Sequence, residues 1–541
     1  MIATENSSPL RAHGSLGWDK TDACFLACIC LGAALAIRLF WTPGIASNND
    51  MLIGIYRAFE LDQSWHQQLF YPRLGMNLNF SYGGPLFQFY APLASYLSLV
   101  FYWAGLGFVE ANKAVFTLSL VLASFGTYVY LRWLLADRRA ALLGAIAYLL
   151  APYLLLDIYE RGALAEILAL ALIPWIFSAF HRLLCEEGSI WFWISAGLLC
   201  LLVLAHNITA LSTLPFLLLY GTFLGWRAKN NKALGIFFLA ITLGLGLAAF
   251  YWLPALVEHD YSQIVKQMIG EPAKGAYSIL APLNHFVQPW LAFDYWGDMR
   301  FRPALWEIVF GFLAVVSIGT LPQKWRHTAG LWAGAAVVLL LLQTNLTRTL
   351  WGAIELAGFL QFPWRLLGLT SFFLALLIGT SLSSKWLTGK QGWLVLICMI
   401  LVIGYSSLRN LDPARSSIWS SFSSDEVSMQ DLYERGRWGF ALFNDFLPIT
   451  TRVDGSDLAK PRQSEDGIPA PALDVIPQVR MLEDGPVWRM SVNASVPFIL
   501  RLHRIFFPGW QVYVDGRSVS TYPYGALRNV PMTLRQLESG N

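Results

Sequence analysis

Between residues 23 and 408 the chain is a succession of apolar runs broken by short polar stretches. They lie near residues 23–41, 85–106, 113–133, 139–156, 164–181, 190–206, 208–225, 233–257, 303–321, 328–343, 365–383 and 392–408. A run of roughly 17 to 25 such residues crosses a bilayer as a helix. The pattern predicts a polytopic α-helical membrane protein with about 11 to 12 transmembrane helices. After Arg409 the runs shrink to strand length: "VRMLEDGPVWRMSVNASVPFILRLHRIFFPGWQVYVDGRSV" alternates apolar and polar residues around "EDG" and "VDG", the mark of antiparallel strands. The expected organisation is a tail over 1–22, a multispanning domain over 23–408 with an outer loop at 42–112, and a small, mainly β domain over 409–541.

Composition strengthens the membrane reading: 56% of residues are hydrophobic and 13% charged, against about 25% charged in soluble domains. The net charge of +3 is spread along the chain, so no basic stripe argues for a nucleic-acid partner. Five of the six cysteines fall inside apolar runs and Cys185 sits in a short loop, which predicts neither disulfides nor a Cys/His metal site. About twenty polar residues precede the first run, so it reads as a retained helix rather than a cleaved signal.

Short basic loops orient the chain. "ADRRA", "FHRLLCEEG", "WRAKNNK", "PQKWRH" and "SSKWLTGK" are the cytoplasmic side by the positive-inside bias. With Arg11 and Lys20 also inside, the run at 85–106 has both ends outside. Interrupted by Pro85 and Pro92 and rich in Tyr and Trp, it reads as interfacial or re-entrant; the alternative is that it spans and the N-terminus lies outside. The first arrangement gives eleven true spans, a cytoplasmic N-terminus and an extracytoplasmic C-terminal domain.

This orientation gathers the candidate chemistry on the outer face. Asp50, in "SNNDMLIGIYRAFELD", follows the first span, and Arg57, seven positions on, shares its helical face. Asp50 reads either as a helix N-cap or as a functional acid. "DIYERGALAE" supplies Asp157, Glu160, Arg161 and Glu166, in a solvated loop or as a second acidic site. Converging acids suit a general base, or a hard cation such as Mg2+ or Mn2+ on Asp50, Asp157 and Glu160. Arg73, Arg161 and Arg365 stand beside proline, aromatic or apolar residues at the boundary; each could snorkel to headgroups, or together they could grip a lipid-linked phosphate. His206, Glu258 and His259 end spans on the same side, in structural or binding roles.

The ordered set "NNDMLIGIYRAFELD…LFYPRLGMNLNFSYGGPLFQFYAPLASYLS", "YLLAPYLLLDIYERGALAEILALALIPW", "LAHNIT", "FYWLPALVEHDY" and "LQFPWRLLG" resembles the bacterial membrane family labelled 6-pyruvoyl-tetrahydropterin synthase-related, over most of residues 20–405. Pterin synthase activity itself needs a zinc-binding histidine set, and none is visible in this chain. The family resembles GT-C glycosyltransferases, which take a sugar from a polyprenyl-phosphate donor at the outer face. That resemblance implies a catalytic acid at Asp50 and a second acidic site, often metal-associated, at Asp157 and Glu160. Where many relatives carry paired acids or Asp-x-x-His, this chain has Asn-Asn-Asp, which leaves metal use open.

The resulting expectation is an inverting transferase of the bacterial inner membrane, with Asp50 as general base and Glu160 as second acid. Arg57, Arg73, Tyr82, Arg161, His206, Glu258, His259, Trp364 and Arg365 are the expected substrate contacts. The partners are a polyprenyl-phosphate sugar, a glycan, lipid or protein acceptor, and membrane lipids. The rival is a non-catalytic lipid or glycan transporter or envelope-assembly protein using the same cavity, although neither a polar inner gate nor an internal repeat is visible.

Overall fold

The computed structural model describes residues 17–46, 50–76, 83–186, 189–262, 303–353, 359–360, 362–409, 411, 418–419, 466–469, 478–483, 488–493, 498–501 and 511–519. Eight helices among them are long and apolar enough to cross a membrane: Lys20–Trp41, Phe108–Leu135, Arg138–Arg161, Leu164–Cys185, Asn207–Ala228, Gln323–Leu342, Pro363–Ser381 and Gly389–Leu408. A ninth is possible if Asn231–Leu247 and Ala249–Val257, bent by 71°, form one span.

The remaining apolar runs also form helices, but shorter ones, which is why fewer spans are counted than runs. Leu93–Trp103 has 11 residues, about 16 Å of helix against a hydrocarbon core of about 30 Å. Pro92 precedes it, and the preceding turn, Leu86–Phe89, ends at Tyr90. By length alone this helix falls short of a span. Ser189–Ala205 and Leu305–Thr320 are likewise short apolar helices.

The chain divides into two compact units. The first comprises Met1–Ile55, Ala91–Trp252 and Met268–Phe422. At its centre the Arg138–Arg161 span is wholly enclosed by protein, and Phe108–Leu135 packs against both it and Leu164–Cys185. Helix Leu366–Ser381 packs on the same central span. There a Cβ built on Gly379 would lie 2.6 Å from the Ala140 carbonyl oxygen and 3.0 Å from the Gly144 Cα. Only small residues permit that approach, and close packing of this kind is what joins helices in lipid, where no hydrophobic drive separates them from solvent. Asp22, buried in the first span, is neutralised by Arg132 at 2.9 Å and Arg138 at 3.2 Å and accepts from the Tyr128 hydroxyl at 2.8 Å. Beyond the first span, Ile45–Ala46 pairs antiparallel with Ile418–Trp419.

The second unit comprises Tyr56–Tyr90, Leu253–Gln267 and Ser423–Asn541. Its described strands pair antiparallel as Asp466–Pro469 with Phe498–Arg501, Gln478–Glu483 with Arg489–Asn493, and Val512–Val514 with Arg517–Val519. The last pair turns through Asp515 (φ 48°) and Gly516 (φ 75°), the two positive-φ positions that a tight Asp-Gly hairpin requires. The fold is therefore a multi-pass helical membrane protein with a small strand region near its C-terminus.

Candidate functional site

The site is built by one irregular turn. After Leu149 the chain restarts as a short helix, Pro152–Leu156, with proline at its first position. It widens into a π turn over Asp157–Arg161 and stops at Gly162, whose φ of 67° is left-handed. The Ala163 N–H closes the turn on the Asp157 carbonyl at 2.9 Å. Such wide turns inside helices concentrate at functional sites because they re-aim side chains.

Here the turn aims Tyr153, Asp157 and Arg161 into the protein, and all three are buried with Glu166 of the next helix. The Arg161 Nη1 donates to Glu166 Oε2 at 2.8 Å, to the Tyr153 hydroxyl at 3.3 Å and to Asp157 Oδ1. Tyr153 donates to Glu166 Oε1 at 2.5 Å. Arg161 also lies over the Trp364 ring, 4.7 Å from its centroid, a contact that favours a desolvated guanidinium.

Trp364 and Arg365 come from the 3-10 turn Pro363–Arg365, which Pro363 starts. Phe362 stacks on Trp364 with ring centroids 5.0 Å apart. Arg365 Nε stands 3.7 Å from Glu166 Oε2. Two carboxylates thus face two guanidiniums in a setting where unbalanced charge is costly. The hydrogen bonding is incomplete: Arg365 Nε and Nη1 and Asp157 Oδ2 are buried with no hydrogen-bond partner among the described residues. The donors left over are those of a planar fork suited to an anionic oxygen.

Asp50 joins this cluster through its backbone. Its N–H donates to the Arg161 carbonyl at 2.9 Å, and its own carbonyl accepts from Gly54 at 3.0 Å, so it occupies the N-cap position of helix Met51–His66. His206 caps helix Asn207–Ala228, its Nδ1 2.8 Å from Thr209 Oγ1.

The structure thus brings Asp50, Asp157, Arg161, Trp364 and Arg365 together. Glu160 is half-buried on the same π turn, but the acids facing Arg161 are Asp157 and Glu166. No group of three or more His, Cys, Asp or Glu among the described residues could hold a metal ion. Asp157 is engaged by Arg161 inside a cluster where two carboxylates already balance two guanidiniums, and the Mg2+ or Mn2+ expected on Asp50, Asp157 and Glu160 plays no part in that balance.

Four expected contacts belong to the second unit. Arg57 is buried with its guanidinium 3.4 Å from the Tyr90 ring centroid. Arg73 pairs with Glu258 at 2.5 Å and donates to Gln88 Oε1, while Gln88 Nε2 donates to Glu258 at 2.8 Å. His259 Nδ1 meets the Leu256 carbonyl at 2.6 Å, a helix-ending contact. Tyr82 lies outside the described residues.

Sequence reasoning missed Tyr153 and Gln88, and named Glu166 only within the acidic stretch, without a partner. Tyr153, Asp157 and Arg161 recur every four positions, one helical face, and that spacing could have found the first. Gln88 sits inside an apolar run, so nothing local marks it.

A family model described as "6-pyruvoyl-tetrahydropterin synthase related domain; membrane protein" matches residues 87–411. An uncharacterized protein of Lactococcus lactis subsp. cremoris is 24% identical over 254 residues, 46% of this chain and 41% of that relative; the match thus spans less than half of the relative's length. Among solved structures, ArnT from Cupriavidus metallidurans bound to undecaprenyl phosphate aligns at TM-score 0.32 and 15% identity over 67% of this chain and 77% of that one. Arabinofuranosyltransferase AftD from Mycobacteria aligns at TM-score 0.43 and 15% identity over 74% of this chain and 27% of that one. Scores this low leave the fold to be judged from the chain itself.

Proposed function

This chain belongs to the 6-pyruvoyl-tetrahydropterin synthase related family of membrane proteins, and from that premise we propose that it is a glycosyltransferase. In this reading it moves a sugar from a polyprenyl-phosphate donor to a cell-envelope acceptor at the outer face of the bacterial inner membrane, with inversion. The N-terminus is cytoplasmic and the strand region extracytoplasmic.

The Asp50 carboxylate takes the proton of the acceptor hydroxyl as that oxygen bonds to the anomeric carbon. The bond from that carbon to the donor's phosphate oxygen breaks, and its electron pair leaves with the polyprenyl phosphate. Arg365, with Arg161 behind it, stabilises the negative charge gathering on the phosphate. Trp364, stacked on Phe362, holds the Arg161 guanidinium against its ring. Glu166 and Asp157 balance the arginines and hold their forks in place when no substrate is bound.

The observation that carries this reading is the incomplete Arg365 fork, two buried donors without acceptors, in the cluster to which the Asp50 backbone is bonded.

The test is transfer from a radiolabelled polyprenyl-phosphate sugar pool to native acceptors, by purified wild-type protein and Asp50→Asn. The variant is expected to insert and fold but to lose transfer. Retained transfer, or movement of the labelled lipid across sealed vesicles without turnover, would refute the assignment.

A further inference from the structure

Lys113 is a buried cation inside a membrane helix, Phe108–Leu135, that the reaction above does not use. A buried lysine at the end of a span is costly and is retained where it has a specific partner. Its Nζ donates to two backbone carbonyls, Thr42 at 2.8 Å and Gly44 at 2.7 Å. Both belong to the turn where the chain leaves its first span, and Gly44 makes that turn with a left-handed φ of 91°.

From there the path to Asp50 is short and held at three points. Lys113 fixes residues 42 and 44. Ile45–Ala46 is paired with Ile418–Trp419. The Asp50 N–H ends on the Arg161 carbonyl. Apolar side chains could fill the space beside the turn without holding it, whereas the ammonium has three donors and the charge to hold two carbonyl oxygens at once.

We propose that Lys113 is a positioning residue: its ammonium clamps the 42–44 turn and so sets where the Asp50 carboxylate stands relative to the arginine cluster. This rests on Asp50 being the base. A general base displaced by about an ångström loses roughly 100-fold in rate, without a matching loss in donor binding.

The experiment uses the purified full chain as wild type, Lys113→Met and Lys113→Arg. Backbone hydrogen exchange over residues 42–50 should quicken at least about tenfold in Lys113→Met, the effect of losing charge-assisted bonds, with residues 138–185 unchanged. Transfer from the labelled polyprenyl-phosphate sugar pool should fall about 100-fold in maximal rate at an unchanged half-saturating concentration. Lys113→Arg, which still reaches two carbonyls, should restore most of both.

Unchanged exchange at 42–50 would overturn the clamp, whatever the activity. Faster exchange with full transfer would overturn the positioning role. Activity in Asp50→Asn would sink the base assignment while leaving the exchange result standing. Should Lys113→Met fail to accumulate in membranes, Lys113→Ser, too short to reach either carbonyl, is read by the same criteria.

Discussion

Arg161→Met tests whether the buried cluster is one coupled network. The wild-type count is two carboxylates, Asp157 and Glu166, against two guanidiniums, Arg161 and Arg365, every one of them mostly buried. Removing Arg161 leaves two buried acids facing one guanidinium that is 3.7 Å from Glu166. Breaking a buried pair from one side costs about 3–5 kcal/mol, because the abandoned charge stays in low dielectric. Glu166→Gln is milder, about 1.5–3 kcal/mol, since the amide oxygen still accepts from Arg161 and the Tyr153 hydroxyl can turn to accept from the amide NH2. The double variant leaves Asp157 against Arg365, again one charge of each sign. Its cost should therefore fall short of the sum of the singles by roughly 1.5–3 kcal/mol. Unfolding by SDS titration in mixed micelles measures all three variants against wild type. Singles that add to within about 0.5 kcal/mol would mean that the charges do not depend on one another, and the balanced-cluster reasoning would fail.

Two further outcomes follow from the geometry. Gly379→Ala should destabilise the protein by about 1–3 kcal/mol, because its Cβ would meet the Ala140 carbonyl oxygen at 2.6 Å; an unchanged unfolding midpoint would show that the two helices are not so closely packed. Arg73→Ala should cost no more than about 1 kcal/mol in the same titration, since the Arg73–Glu258 pair is 47% and 25% exposed and solvent screens it, and a larger loss would point to a structural role beyond the ion pair.

The sequence by itself determined the membrane class, the position of nearly every helix and the strand character near the C-terminus. These follow from hydropathy and alternation, which are sums over neighbouring residues and need no knowledge of what packs where. It also pointed to Asp50, Arg161, Trp364 and Arg365, because charge beside a span is conspicuous when charge is scarce.

Only the tertiary structure decided which of these meet. Glu160 is the acid adjacent to Arg161 in sequence, yet a π turn and a left-handed glycine give Arg161 to Asp157 and to Glu166 beyond the break. Arg365 reaches Glu166 across about two hundred positions, and Lys113 holds a turn some seventy positions earlier. Such contacts depend on helix packing through small residues and on where irregular backbone lets the chain turn. Hydropathy does not encode either one, because the free energy of entering the membrane is nearly the same whichever way a buried side chain points.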